Sequence, residues 1–356
     1  MKSLDCGTAF LCKGELDIAD QPEFTLERNC FLQAAATDDT EQTLKENNWN
    51  YAKHGEDYFI LGEDAIKLKN LLSVGSKDQS IVMTKVGELR RPMRHGVLNT
   101  NEEKLSVALI QKLISNLLGK PNHPGETLCF CVPADTVDKN ITNVFHKTML
   151  TNFIKSLGYT PESIPEALAI IFSQRPVADD PSEPNGQAAF SGIGISCGGG
   201  QLNCCLAFKQ MPLLNMSVQN CGDWIDEQAA KVAGIEIPAM TRFKETKFDL
   251  NKVDYSDMRQ AALDIFYQNM IENALTKFAA KFNQLDNPIE IPLEIVLAGG
   301  SASIPGFLDK FNAVLSTLTL PFKVKQVRLA ENPLYAVAHG CLVKAMALEK
   351  KTKKSA

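Results

Sequence analysis

The stretch GIGISCGGGQLN, residues 192–203, runs an apolar segment straight into three consecutive glycines. Glycine gives up more backbone freedom on folding than any other residue, so three in a row after a strand-like run need a reason. Bare main chain at a strand end offers inward-pointing N–H groups, and such a loop can hold an anion. Two further turns of this kind stand far away in the chain. LDCGTAF, residues 4–10, places Asp5 at a strand end, Gly7 in a tight turn and Thr8 with a hydroxyl and an amide. Its N–H groups suit phosphate oxygens, and its carboxylate suits a hydrated magnesium ion. VLAGGSASIPGF, residues 296–307, is a strand followed by Gly299 and Gly300 and then a turn from Ser301 to Pro305 into a helix. A flat base or sugar can approach that side-chain-free backbone. Each turn alone reads equally well as a plain turn; their order and spacing together do not.

Outward from these turns, residues 3–11 are short and apolar, as a buried strand is. Residues 27–72 are polar and mixed, with YFILGEDAIKL as the ordered-looking piece, and read as a small inserted subdomain. Leu105, Leu109, Leu113 and Leu117 recur at four-residue steps and Gly119 follows, which predicts an amphipathic helix over 101–119. TLCFCVP is a strand that stops at Pro133. Helices are expected over 137–159, over the short IPEALAIIF (164–172), over DWIDEQAAKVAG (223–234), over 255–282 and over 332–351. QLNCCLAF returns on the glycine strand as a hairpin. The proline-, glycine- and acid-rich segment 173–190 reads as an exposed, mobile loop. Strands alternating with helices imply α/β layers.

The totals narrow the class. A chain of 356 residues exceeds one ordinary core, so two domains or one with insertions are expected. A formal charge of -5 lacks the basic surplus of a nucleic-acid binder. No segment approaches the roughly 20 apolar residues of a membrane helix. The N-terminal MKSLDCGTAFLC reads as a first strand and not as a signal peptide. Ten cysteines include no Cys-x-x-Cys pair, and five histidines lack zinc-ligand spacing. Most of these cysteines lie in apolar runs and read as small buried hydrophobes of a reducing cytoplasm.

With all three turns in place, the chain resembles the actin-like ATPase superfamily, which includes actin, MreB- and MamK-type prokaryotic filament proteins, heat-shock ATPases and sugar kinases. LDCGTAF looks like the first phosphate loop, GISCGGGQLN like the second, and VLAGGSASIPG like the adenosine motif. IPEALAIIF is similar to the first connecting helix, whose leading acidic or amide residue orients the attacking water. LGEDAIKL, RRPMRHGVL, CGDWIDEQ and RFKE resemble the supporting segments in order. The resemblance runs from Leu4 to about Lys344. It implies an α/β, ribonuclease H-like two-domain fold, each domain with a small inserted subdomain, and a nucleotide in the interdomain cleft. Domain I would span 1–160, with an insert at about 28–75 and the last helix, 331–350, packed back on it. Domain II would span 161–330 with an insert at about 222–290, and 351–356 would be a disordered basic tail.

The resemblance also implies roles. Asp5 would hold Mg2+ through water, and Gly7 and Thr8 would contact the β- and γ-phosphates of ATP (or GTP). Lys13 would add positive charge, or is a surface lysine at a hairpin end. Gly198, Gly199 and Gly200 would present amides. Glu166 would orient the hydrolytic water as base or acceptor, or is a helix-start glutamate stabilised by the dipole. Gly299, Gly300, Ser301 and Ile304 would pack on adenosine, with Gly222, Asp223, Lys244 and Glu245 near ribose and base. The second loop departs from the pattern. Ser196 stands where the family has aspartate, Gln201 replaces a threonine, Asn203 replaces an acid and Cys221 replaces the glycine before Gly222. The amides survive and one negative charge is lost, which predicts nucleotide binding with slow hydrolysis.

On this resemblance 332–351 is the last helix of the fold, so the peptide-binding domain of a chaperone is not expected, and no motif for the catalytic aspartate of a sugar kinase is seen. The compact build points to a cytoplasmic protein that polymerises with itself, under filament regulators or a cargo adaptor. A non-polymerising ATPase adaptor and a small-molecule kinase of the same superfamily are the alternatives.

Overall fold

The computed structural model describes residues 1–35, 40–74, 86–139, 141–174, 177–178, 187–286, 289 and 291–355. In chain order the first half holds β1 (Lys2–Cys6), β2 (Phe10–Leu16), β3 (Pro22–Arg28), β4 (Phe31–Ala35), α1 (Thr40–Glu46), β5 (Tyr51–His54), β6 (Asp57–Leu61), α2 (Gly62–Val74), β7 (Val86–Arg90), β8 (Met93–Arg94), β9 (Val97–Leu98), α3 (Ser106–Leu118), β10 (Thr127–Val132), α4 (Val144–Ser156) and β11 (Thr160–Pro165). The second half holds α5 (Glu166–Ser173), the short pair β12 (Val177–Ala178) and β13 (Gln187–Ala188), β14 (Gly192–Cys197), β15 (Leu202–Phe208), β16 (Met211–Val218), α6 (Gly222–Ala233), α7 (Ile237–Lys247), α8 (Met258–Phe282), β17 (Leu293–Ala298), α9 (Phe307–Ser316), β18 (Val324–Leu329) and α10 (Ala336–Ser355).

Two five-stranded sheets carry the halves, in the orders β11-β10-β1-β2-β3 and β16-β15-β14-β17-β18. Each has an antiparallel hairpin after its central strand, β1–β2 and β14–β15, and a parallel neighbour on that strand's other side, β10 and β17. The echo between the two glycine hairpins is thus an echo of topology: each phosphate-loop candidate is the bend between a central strand and its hairpin partner.

Several expectations needed correction. The small sheet, ordered β5-β6-β4-β7, runs past residue 75, because β7 pairs with β4. The helix expected from 137 begins at Val144: Asn143 Nδ2 donates back to Pro133 O in the preceding loop, and Thr142 Oγ1 accepts from Val144 N. The basic tail expected to be disordered continues α10 to Ser355. Residues 175–176 and 179–186 of the loop at 173–190 lie outside the described residues. Edge strands β3 and β18 and the edge strand β11 carry too little periodicity to be read, since an edge strand buries little.

Helix α3 ends as its sequence predicts, with Gly119 at φ 65°, but it has a second device. The buried Lys2 Nζ donates to the Leu118 carbonyl at 2.8 Å, a cation on the negative end of the helix. The ten cysteines are free and buried. His146 on α4 is also buried, and neither ring nitrogen has a hydrogen-bond partner among the described residues. Burial lowers its pKa from 6.5 to about 4. The folded ring therefore stays neutral while the unfolded one takes up a proton, so stability falls as pH drops from 6.5 towards 4. His146→Leu should remove that acid lability, worth about 3 kcal/mol at the low end. The check is the difference between the two proteins' denaturation curves against pH, which cancels every group they share.

Between the two sheets lies a separate core, made from β10, α5, β17 and α10. Ala167, Leu168, Ala169, Ile170 and Ile171 of α5 are all buried, the signature of a helix enclosed on every side. Gly340 of α10 meets it so closely that a Cβ there would stand 1.7 Å from the Ala169 carbonyl oxygen. The two halves are joined through this crossing.

Candidate functional site

The three glycine turns meet in one cleft of about 350 Å3 between the halves. In the first, between β1 and β2, Asn29 ties the carbonyls back: its Nδ2 donates to Gly7 O at 2.9 Å and its backbone N to Ala9 O at 3.0 Å. Thr8 is buried, and its Oγ1 accepts from Gly96 N at 3.1 Å. In the second, Gly198 O accepts from Cys221 Sγ at 2.9 Å, Ser301 Oγ at 3.0 Å and Gly222 N at 3.2 Å, and Gly199 O accepts from Asp223 N at 2.8 Å. The N-terminal amides of α6 therefore satisfy the loop's carbonyls. The amides of Gly199 and Gly200 have no protein acceptor among the described residues, which leaves donors for an anion.

In the third turn, Gly299 has φ +96°, and a Cβ there would stand 2.4 Å from Cys197 O. Packing and backbone alone therefore dictate glycine. At Gly300 a Cβ would meet nothing within 4 Å. That open face, together with Ser301, Ile304 and Pro305, forms the wall opposite Leu26 and Phe10. It suits a flat, weakly polar group.

At the floor stand Asp5 and Glu166. Ser196 Oγ donates to Glu166 Oε1 at 2.6 Å and Asn203 Nδ2 to its Oε2 at 3.1 Å. Asn203 is fixed in turn, because its Oδ1 accepts from Ala134 N at 2.9 Å. Asp5 accepts from Cys131 Sγ at 3.2 Å. Burial pushes both carboxyls above the usual carboxylate range, Glu166 further because the charge of Asp5 adds to it. Two carboxylates that repel each other across a cleft fit a divalent cation between them and a phosphate. Among the described residues no cluster of three or more His, Cys, Asp or Glu could cage a metal. One or two carboxylates, water and phosphate are the set that magnesium prefers. Asp5 would hold such an ion, which would screen phosphate charge; Glu166, aimed by Ser196 and Asn203, is placed to accept a proton from water.

The substitutions in the second loop thus have partners. Ser196 and Asn203 are the two donors that orient Glu166. Gln201 Nε2 donates to His95 O at 2.6 Å and ties the loop to the β8–β9 hairpin of the other half. Cys221 spends its thiol on Gly198 O.

Gly222, Asp223, Lys244 and Glu245 line the same cleft. Lys244 is buried against Asp226 at 2.8 Å and donates to Gly222 O at 3.1 Å. Asp223 pairs with Arg91 at 2.7 Å and Glu245 with Arg28 at 3.3 Å, both across the cleft. Lys13 is the exception. It is held by Glu15 on the same strand and is not among the cleft's lining residues. Side chains alternate across β2, so Cys12 faces the cleft and Lys13 turns away. Sequence reasoning missed Arg91, Cys131 and Asp226. All three lie inside segments already quoted, Arg91 in RRPMRHGVL, Cys131 in TLCFCVP and Asp226 in CGDWIDEQ, but nothing local marks them as cleft residues.

A family model described as Volactin matches residues 1–345. No curated protein sequence matches significantly. Among solved structures, a MamK double helical filament superposes with TM-score 0.63 at 12% identity over 97% of this chain and 98% of the other. MreB 5 of Spiroplasma citri bound to AMPPNP gives TM-score 0.63 at 14% identity, over 100% and 98%. The ethanolamine utilization protein EutJ from Carboxydothermus hydrogenoformans gives 0.51 at 12%, over 96% and 89%. The fold is the actin-like two-domain α/β fold. No helix among the described residues is long and apolar enough to cross a membrane.

Proposed function

The chain belongs to the Volactin family, and from that premise we propose that it is an actin-like protein that binds ATP with Mg2+ in its cleft and polymerises in a nucleotide-dependent way, hydrolysing slowly. The observation that carries this reading is the meeting of three glycine turns around the Asp5–Glu166 pair, with loop carbonyls tied back and amides left for phosphate. The fold it shares with MamK and MreB 5 supports it. Domain I is taken as residues 1–160 with the last helix, domain II as 161–330, and α5 and α10 as the hinge between them. A nucleotide that bridges the halves sets their angle, and the angle sets how well one subunit fits the next. Head-to-tail contacts that do not close make a filament.

The test is sedimentation and electron microscopy with ATP, ADP or no nucleotide, alongside phosphate release. Filaments that form with ATP and shorten as phosphate is released are expected. A protein that binds ATP yet never pellets at any concentration is a non-polymerising adaptor. Ser196→Asp restores the charge that the second loop lacks but removes a donor from Glu166. Its phosphate release should differ from the wild-type rate several-fold; identical rates would remove the role given to Ser196.

A further inference from the structure

Among the described residues, five carboxylates and two cations, Arg91 and Lys244, line the cleft. Nucleoside polyphosphates are themselves anionic, so where compensating positive charge comes from decides whether they bind. Lys244 is committed. Its side chain is 7% exposed, that of Asp226 is 3% exposed, and the two are 2.8 Å apart. Breaking so buried a pair leaves an uncompensated charge and is costly. Arg91 is different. It enters from the short segment between β7 and β8, its Nη1 donates to Asp223 Oδ1 at 2.7 Å, and the two side chains are 31% and 26% exposed. A partly exposed ion pair costs less to part than a fully buried one, so its arginine can exchange partners. Its position is also telling. Asp223 Oδ1 would lie 3.3 Å from a Cβ on Gly199, so the pair sits on the mouth of the second glycine loop. Guanidinium groups bind phosphate through two parallel hydrogen bonds, which a carboxylate partner anticipates in shape.

We propose that Arg91 is the cation that takes the phosphate tail, and that Asp223 holds it in place until a nucleotide arrives. The proposal rests on the nucleotide reading above and adds a residue to it. Because Arg91 and Asp223 come from opposite halves, 132 residues apart in the chain, the exchange also trades a direct link between the halves for one made through the ligand. Asp223 competes with phosphate for the same guanidinium, so the two residues have opposite effects on affinity. A pair that serves only as a strut would not behave this way.

The experiment is calorimetric titration of the full chain with adenosine, ADP and ATP in the presence of magnesium. Arg91→Gln should weaken ATP by about 10-fold or more and ADP by less, and leave adenosine within about 2-fold. Asp223→Asn should tighten ATP by about 3-fold or more, since it frees the arginine. Arg91→Lys should fall between wild type and Arg91→Gln, because an ammonium keeps the charge and loses the paired geometry. Equal losses for all three ligands in Arg91→Gln, or an Asp223→Asn protein that binds ATP more weakly, would overturn the proposal and leave nucleotide binding standing. A wild-type chain that binds none of the three would overturn the nucleotide reading itself.

Discussion

Glu166→Gln is expected to cut ATP hydrolysis by about 100-fold or more while ATP still binds within a few-fold of wild type. Both oxygens of this carboxylate are aimed by neighbours, Ser196 at 2.6 Å and Asn203 at 3.1 Å. An amide of the same shape can keep that placement: its oxygen takes the Asn203 donor, and the Ser196 hydroxyl turns to accept from its nitrogen. What the amide cannot do is accept a proton. The loss should therefore appear in the rate of phosphate release and not in affinity. The wild-type rate should also carry a pH signature. Burial and the charge of Asp5 hold the Glu166 carboxyl protonated beyond the usual range, and a base works only when deprotonated. Hydrolysis should therefore rise with pH across neutrality, and Glu166→Gln should flatten that rise. A glutamine variant with wild-type phosphate release would return Glu166 to a helix-start glutamate serving the dipole.

The second large effect is on stability. Gly340→Ala should destabilise the protein by about 3 kcal/mol or more. Helix propensity alone argues for the opposite sign, because alanine inside a helix is better than glycine by about 1 kcal/mol. Packing decides it. A Cβ on residue 340 would stand 1.7 Å from the Ala169 carbonyl oxygen and 2.4 Å from its carbon. Both are backbone atoms inside a buried helix, so no rotamer change relieves the contact. Helices α5 and α10 must then separate, and with them the core between the two sheets. A lowered melting temperature in calorimetry is the expected readout; an alanine variant as stable as wild type would mean that the crossing is looser than described. Nucleotide should restore less of the lost stability here than in a variant far from the hinge, since its binding depends on the angle between the halves.

The sequence by itself settled the turns. Gly7, the 198–200 run and the Gly299–Gly300 pair are short-range features: glycine, a neighbouring strand pattern and a following hydroxyl or helix are readable within about ten residues. Sequence also placed α6, α8 and the β14–β15 hairpin. It grouped Asp5, Glu166, Ser196 and Gly299, and these four residues line one cleft. It failed where identity depends on what lies across space. Lys13 has the right charge and stands close to the first glycine turn in the chain, yet strand alternation turns it to the other face. Ser196 and Asn203 looked like losses against a family pattern, because the acceptor they share, Glu166, is 30 and 37 residues away in sequence. Arg91 and Asp226 lie in quoted segments, yet their roles stayed hidden for the same reason: a charge shows its role only when its partner and its burial are known. Local backbone chemistry is written in neighbouring residues, whereas charge compensation, orientation of a base and the fit of two crossing helices exist only after distant segments are packed together.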